Sequence, residues 1–253
     1  MITANDLIKT LNFSSSDGLV STQFNQGFMT TKLDPFSLAF TDYAAKQADW
    51  CLEVGAAYGV ATLEAISKGA KIIANDLHKI HLEVLNLRCP EEYKKNLILS
   101  VGKFPNIGLD NNCCPLGAVL ACRVLHFMGK NELTESLKKI NSLLKKQGKL
   151  FLIVDSPYMG WWTDCIPVFE EKKSLQDKWP GIFQPAKDYC NNKEAHAVLP
   201  PLVHWFDTET ISKELVNNGF LIEKILYINR EGIYPQSCCL DGRESVGVIA
   251  VKS

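Results

Sequence analysis

The sequence predicts an α/β fold: a seven-stranded, mostly parallel sheet whose last strand is antiparallel, with helices on both faces. Short apolar segments alternate with segments of helical spacing, which is the order expected when helices connect parallel strands. The apolar segments are continuous and not alternating, as in strands that are buried on both faces of a sheet. At 253 residues, the chain is long enough for one such domain with additional segments.

The predicted elements follow from local signals along the chain. Residues 1–47 are expected to form an N-terminal helical cap, whose main helix starts at Asp34-Pro35 and reaches about Lys46, because Asp is a favoured N-cap and Pro suits the first helical position. The core is expected over residues 48–253. Its strands are predicted at 52–54, 70–75, 96–101, 117–122, 149–154, 220–228 and 244–252.

Helices are predicted between these strands at 60–68, 79–87, 131–146 and 207–217. Asn131 is expected to cap the third of them, with Lys145 and Lys146 in its last turn and Gly148 at its end. Asp207 is expected to cap the fourth.

Residues 156–206 interrupt the alternation of strands and helices. This segment contains six of the eleven prolines and four of the five tryptophans. A long segment without regular patterning is seldom an idle loop. We expect it to be an inserted substrate lid that covers the carboxyl edge of the sheet.

Composition excludes several classes of partner. The net charge is −1 and no basic block occurs, which argues against a nucleic acid or an anionic membrane as a partner. No run of about 18 apolar residues is present, and the N-terminal residues lack the pattern of a signal peptide. The nine cysteines include no C-x-x-C pair, which favours reduced thiols, a cytoplasmic location and no metal site.

The segment from Cys51 to Gly59 is the strongest functional signal. An apolar run ends at Glu53, and Gly55 and Gly59 follow before a helical segment. Glycines allow a sharp strand-to-helix turn and close approach of a ligand. The helix N-terminus then offers free N–H groups and a partial positive charge.

With Asp76 after the second strand and Val124–Phe127 after the fourth, this motif resembles that of the class I S-adenosylmethionine-dependent methyltransferases. The resemblance covers about residues 48–155 and 207–252, and it implies a Rossmann-like fold, S-adenosyl-L-methionine as cofactor and S-adenosyl-L-homocysteine as product. It implies that Glu53 contacts the amino group of the cofactor and that Asp76 binds its ribose hydroxyls. The implied cofactor-binding residues are Glu53, Gly55, Ala56, Ala57, Gly59, Asp76, Leu77, Gly102, Lys103, Cys122 and Arg123.

Two positions depart from the family pattern. Ala57 replaces the middle glycine, and Lys103 stands where an acidic residue usually contacts the adenine amine. A nicotinamide-binding loop is disfavoured because the spacing from Gly55 does not give G-x-G-x-x-G. Structural interpretations also stay open: Glu53 could simply end a strand, and Asp76 could simply cap the next helix.

We therefore expect O- or N-methylation of a small-molecule methyl acceptor by in-line displacement. The alternatives are a catalytically inert binding or docking protein of the same fold and a protein or RNA methyltransferase. The candidate general bases are His204, His196 and Asp155. The candidate substrate-binding residues are Tyr158, Trp161, Trp162 and His126, although the tryptophans and histidines could equally belong to the core.

Overall fold

The computed structural model describes residues 3–13, 18–25, 27–197 and 199–253. Its strands are β1 (Leu19–Ser21), β2 (Phe28–Thr30), β3 (Cys51–Val54), β4 (Ile72–Asp76), β5 (Leu97–Val101), β6 (Leu116–Cys122), β7 (Leu144–Asp155), β8 (Ile182–Phe183), β9 (Val203–His204), β10 (Phe220–Ile228) and β11 (Ser245–Lys252). Its α-helices are α1 (Ala4–Thr10), α2 (Pro35–Ala44), α3 (Val60–Ser67), α4 (Lys79–Arg88), α5 (Lys130–Leu143), α6 (Cys165–Ser174) and α7 (Thr208–Asn217).

Seven strands form the main sheet, in the order β10-β11-β7-β6-β3-β4-β5. The strand β11 is antiparallel to both of its neighbours, whereas β3, β4, β5, β6 and β7 pair in parallel. This arrangement confirms the predicted fold class. The strand order reverses between β3 and β6, and in open α/β sheets the crevice at such a point is the usual ligand site.

Apolar clusters cover both faces of the sheet. Leu137 of α5 and Leu215 of α7 belong to the cluster on one face. Phe40 of α2 and Ala65 of α3 belong to the cluster on the other face. Burial on both faces explains why the strand sequences are continuously apolar.

The predicted caps of two helices are confirmed. Asp34 accepts hydrogen bonds from the backbone N–H groups of Phe36 and Ser37, and it starts α2 at Pro35. Asp207 caps α7 in a capping box with Thr210. Each cap satisfies N–H groups that the first helical turn cannot pair internally.

The predicted boundary between α5 and β7 is wrong. The N-cap is Gly129 and not Asn131, and α5 ends at Leu143. The strand β7 already begins at Leu144, so Lys145, Lys146 and Gly148 lie in a strand. Pairing causes this early start, because Leu144 pairs with Leu116 of β6 and the β7 segment from Lys149 onward pairs with β11.

The segment 156–206 has an apolar cluster of its own. It contains α6, the two-stranded β8–β9 sheet and buried side chains such as Trp162, Phe169 and Phe183. Tyr234 and Cys238, from the connection between β10 and β11, complete this cluster. All nine cysteines of the chain are free thiols. Within the described ranges, no helix combines the length and apolar character needed to cross a membrane.

Candidate functional site

A cavity of about 500 Å³ lies at the carboxyl ends of β3, β4, β5 and β6. Its volume falls within the range of small-molecule sites. It is located where the strand order reverses, as expected for this class of sheet. All the predicted cofactor-binding residues except Gly59 line it: Glu53, Gly55, Ala56, Ala57, Asp76, Leu77, Gly102, Lys103, Cys122 and Arg123.

The turn between β3 and α3 requires its two glycines. Gly55 has a φ of 70° and Gly59 a φ of 79°. A Cβ on Gly55 would lie 2.3 Å from Cγ2 of Val124, and a Cβ on Gly59 would lie 2.4 Å from Cγ of Leu85. The backbone therefore packs directly against neighbouring side chains. Among the described residues no side chain caps α3 at Gly59, so the N–H groups of the helix N-terminus can donate hydrogen bonds to a ligand.

Glu53 is buried at the end of β3 and accepts a hydrogen bond from the Thr62 hydroxyl. Burial raises the pKa of Glu53 to about 7, against the lowering effect of the Thr62 hydrogen bond. The carboxyl group therefore titrates near neutral pH. Because it lines the cavity, a cationic ligand group placed beside it would favour its charged form.

Asp76 accepts hydrogen bonds both from the turn between β3 and α3 and from the residues at the start of α4. Its Oδ2 accepts from the backbone N–H of Ala57 at 2.9 Å, and its Oδ1 accepts from the backbone N–H of His78 at 2.9 Å. Nδ1 of His81 also lies 2.9 Å from Oδ1. An ionised carboxylate has about four acceptor sites, so these three contacts leave capacity for a hydroxyl donor from the cavity.

The end of β5 borders the same cavity. Nδ2 of Asn75 donates to the carbonyl oxygens of Ser100 and Gly102 at 2.9 and 3.0 Å, which fixes the ends of β4 and β5 together. Nζ of Lys103 pairs with Glu132 of α5 at 2.7 Å, and both residues line the cavity. A carboxylate therefore does border this edge, but it comes from α5.

Arg123 directly follows β6 and forms part of the cavity wall. Its Nε donates to Oδ2 of Asp155 at 3.2 Å, and its Nη1 donates to the carbonyl oxygen of Phe28 at 3.3 Å. Burial alone would raise the pKa of Asp155, but Arg123 and the neighbouring cations hold it well below its ordinary value. Asp155 is therefore a charged anchor for Arg123 at neutral pH.

None of the three candidate bases is among the described residues that line the cavity. Burial lowers the pKa of His204 to about 4, against the effect of its hydrogen bond with the Met128 carbonyl oxygen at 3.3 Å. Nε2 of His196 lies 2.8 Å from the Cys190 carbonyl oxygen. Asp155 is held by Arg123, so the structure does not bring the three together at one reacting centre.

The four candidate substrate residues also lie outside the cavity lining in the described ranges. Tyr158 donates its hydroxyl to Glu170. Trp161 donates Nε1 to Oγ of Ser237 at 3.0 Å, and Trp162 belongs to the apolar cluster of the 156–206 segment. His126 is buried and its Nδ1 accepts the backbone N–H of Asp155 at 3.1 Å.

Other residues, which sequence reasoning missed, cover the cavity. They come from the N-terminal hairpin, from the segment after β6 and from the end of the 156–206 segment: Thr22, Phe28, Met29, Thr30, Met128, Leu199, Pro200 and Pro201. No local motif marks them, because their position depends on long-range packing. In the part of the chain that the structure describes, no group of three or more His, Cys, Asp or Glu residues could hold a metal ion.

Comparisons with known proteins agree with this geometry. Residues 52–152, which contain the turn, Asp76 and Arg123, match a protein family described as a methyltransferase domain. No curated protein gives a significant match to the chain.

Solved structures with the same fold include several methyltransferases. A S-adenosylmethionine-dependent methyltransferase from Methanosarcina mazei has a TM-score of 0.63 and 17% identity, covering 87% of this chain and 98% of that one. The 1,6-didemethyltoxoflavin-N1-methyltransferase of Burkholderia thailandensis, solved with 1,6-didemethyltoxoflavin and S-adenosylhomocysteine, has a TM-score of 0.60 and 14% identity, covering 87% and 77%. The glycopeptide N-methyltransferase MtfA, solved with S-adenosylmethionine, has a TM-score of 0.57 and 14% identity, covering 86% and 92%. At these identities the similarity establishes a common fold.

Proposed function

We propose that this chain transfers the sulfonium methyl group of S-adenosylmethionine to a small molecule by O- or N-methylation, since residues 52–152 match a methyltransferase domain and the fold is shared with S-adenosylmethionine-dependent methyltransferases. The observation that carries this proposal is the cavity itself. Residues selected from the sequence as cofactor-binding surround one cavity at the point where the strand order reverses.

The residues around the cavity fit the chemistry of this cofactor. The carboxyl group of Glu53 has a pKa of about 7, and a neighbouring ammonium group would favour its deprotonated, charged form. Asp76 has spare acceptor capacity for ribose hydroxyls. Leu77, 47% exposed, offers an apolar side chain for the adenine face. Glu132, paired with Lys103, supplies a carboxylate near the edge where the family usually has an acidic residue.

When bound, S-adenosylmethionine supplies a methyl group that its positive sulfur has already activated. The task of the chain is then to hold the acceptor in line and to exclude water. Holding reacting groups in such a geometry lowers a barrier by about 7–11 kcal/mol. The strand β2 and the segment Leu199–Pro201 line the cavity and would shield it from solvent.

A small-molecule acceptor fits a cavity of about 500 Å³ better than a macromolecule does. A net charge of −1, with no basic block in the sequence, also disfavours RNA as the acceptor. Among proteins of similar fold, the Burkholderia thailandensis enzyme was solved with a small heteroaromatic compound, 1,6-didemethyltoxoflavin. These observations support a compact acceptor in this chain.

Titration calorimetry with S-adenosylhomocysteine and NAD⁺ tests the cofactor. We expect S-adenosylhomocysteine to bind and NAD⁺ not to bind. Asp76→Asn should weaken S-adenosylhomocysteine binding by about tenfold or more, because the amide loses charge and acceptor capacity. The matched control is Asp42→Asn, since Asp42 is exposed, pairs with Lys68 and lies outside the cavity lining.

Methyl transfer from labelled S-adenosylmethionine then separates the remaining alternatives. Label on small acids, phenols or amines supports the proposal. Label only on protein or RNA, or binding without any transfer, contradicts it. If the folded Asp76→Asn protein binds S-adenosylhomocysteine with unchanged affinity, the assignment of Asp76 to the cofactor site is wrong.

A further inference from the structure

Arg123 lines the cavity and has a hydrogen-bond donor that no described residue accepts. Its Nε and Nη1 donate to Asp155 and to the Phe28 carbonyl oxygen. The residues that the structure describes offer no hydrogen-bond partner to Nη2. The side chain is only 17% exposed and it forms part of the cavity wall. A guanidinium in this position is well suited to bind an anionic oxygen.

A buried network fixes the orientation of this guanidinium. Oδ1 of Asp155 accepts from Oγ of Ser245 at 2.6 Å and from the Tyr234 hydroxyl at 3.1 Å. The Tyr234 ring also lies 4.9 Å from Cζ of Arg123. Both oxygens of Asp155 are therefore occupied, and Arg123 is preorganised before any ligand binds.

The surroundings of Arg123 contain more donors than acceptors. Arg230 is fully buried, and within the described ranges neither Nη1 nor Nη2 has a hydrogen-bond partner. Its Nη1 lies 3.6 Å from Oδ2 of Asp34. The oxygens of Asp34 are already used by the N-terminus of α2 and by the Ser37 hydroxyl. Arg230 is not among the described residues that line the cavity, so an anion in the cavity would be bound by Arg123.

Among the described residues, the cavity side chains that adjoin Arg123 in the chain or by contact include no general base. Beside Arg123, the described lining consists of Cys122, Ser37 and apolar side chains such as Phe28, Leu33 and Val124. Burial raises the pKa of the Cys122 thiol to about 12, so the thiol stays protonated. A nucleophile that reacts here must arrive already deprotonated, and a carboxylate meets that condition at neutral pH.

We propose that the methyl acceptor is a small apolar carboxylic acid, bound through Arg123, and that a carboxylate oxygen receives the methyl group to give a methyl ester. This inference rests on the proposed function. A lone pair of the oxygen forms the new O–C bond, and the C–S bond breaks with its electron pair remaining on sulfur. The negative and positive charges cancel, and no proton is transferred.

The charges of the groups agree with a carboxylate placed between Arg123 and the sulfonium. Asp155 already pairs with Nε of Arg123, and Arg123 is expected near the sulfonium. An acceptor carboxylate between the guanidinium and the sulfonium would be attracted by both, whereas an uncharged acceptor would not.

Matched acids and amides test the substrate class. Benzoate, cinnamate and octanoate are compared with benzamide, cinnamamide and octanamide, using methyl-labelled S-adenosylmethionine and a final treatment with base. Methyl esters release labelled methanol in base, whereas methylated amides do not. We expect base-released methanol from the acids and no transfer to the amides.

Binding without turnover gives a second readout. Calorimetry measures the affinity of each acid for protein loaded with S-adenosylhomocysteine or with sinefungin, which carries an amine in place of the sulfonium. The acids should bind more tightly to the sinefungin complex. Arg123→Gln should weaken acid binding by about 10- to 100-fold, and this loss should exceed any loss of S-adenosylhomocysteine affinity.

Arg243→Gln is the matched control, because Arg243 pairs with Asp241 and lies outside the cavity lining. If Arg123→Gln does not fold, Arg123→Lys keeps the charge without the fork and should retain weakened selectivity for acids. Two outcomes overturn this inference but leave the proposed function standing, provided that S-adenosylhomocysteine binds. In the first, the protein shows no preference for any acid over its amide. In the second, the transferred label is stable to base. Failure of S-adenosylhomocysteine to bind overturns both.

Discussion

Glu53 links the cavity to the pH dependence of stability. Its carboxyl group is buried and hydrogen-bonded to Thr62, and burial shifts its pKa from 4.5 to about 7. Between these values the folded chain holds a proton that the unfolded chain has released. Stability therefore falls as the pH rises through this window, by up to about 3 kcal/mol for this group.

We predict that Glu53→Gln removes this dependence. The free energy of unfolding of the native protein, minus that of the variant, should fall by about 3 kcal/mol between pH 4.5 and pH 7.5. Denaturant unfolding of the ligand-free proteins measures it. Glu64→Gln is the control, because the side chain of Glu64 is 42% exposed and pairs with Lys68 at the end of α3. A difference that stays constant with pH would show that Glu53 is already charged in the folded chain.

At the scale of elements, the turn between β3 and α3 depends on close packing against the segment after β6. Gly55 has a φ of 70°, and its missing Cβ leaves room for Val124. Gly69 has a φ of 99°, with nothing within 4 Å of its own Cβ position. Both glycines therefore have a positive φ, but only at Gly55 would an added Cβ collide with a neighbouring side chain.

We predict that Gly55→Ala destabilises the protein by about 1–3 kcal/mol more than Gly69→Ala, because only the first change adds overpacking to backbone strain. Only Gly55→Ala should weaken S-adenosylhomocysteine binding. Thermal unfolding and calorimetry measure the two effects. Adding Val124→Ala to Gly55→Ala should recover part of the stability, and equal losses in the two single variants would contradict the packing argument.

Elements with complete local signals were predictable from the sequence. Asp34 and Asp207 are caps in the structure as predicted, and the predicted strand 220–228 coincides with β10. The boundary at Leu144 was not predictable, because the helical spacing of α5 continues into residues that pair with β6 and β11. Long-range strand pairing overrides local helical preference there.

At the scale of the whole molecule, half of the cavity was predictable and half was not. The residues from Glu53 to Asp76 belong to a single strand–turn–helix–strand unit, so their motif carries the geometry. A second wall combines Phe28, Met128 and Leu199, which are distant in sequence and were not predicted. The sequence around His204 does not indicate whether its side chain points into the cavity. In the structure, His204 is buried against Trp179 and Phe206.

This second wall makes a prediction about the ligand-bound molecule. The carbonyl oxygen of Phe28 accepts from Arg123, and Phe28 and Leu199 line the same cavity from segments far apart in the chain. A ligand that contacts both should lower the frequency of local opening in both. We predict that S-adenosylhomocysteine slows amide hydrogen exchange in β2 and at Leu199 as well as in the turn from Gly55 to Gly59.

The strand β10, at the far edge of the sheet, serves as the internal control and should exchange at an unchanged rate at a fixed ligand saturation. Protection confined to the turn would mean that β2 and Leu199 do not close over the cofactor, whereas equal protection in β10 would indicate only a general rise in stability.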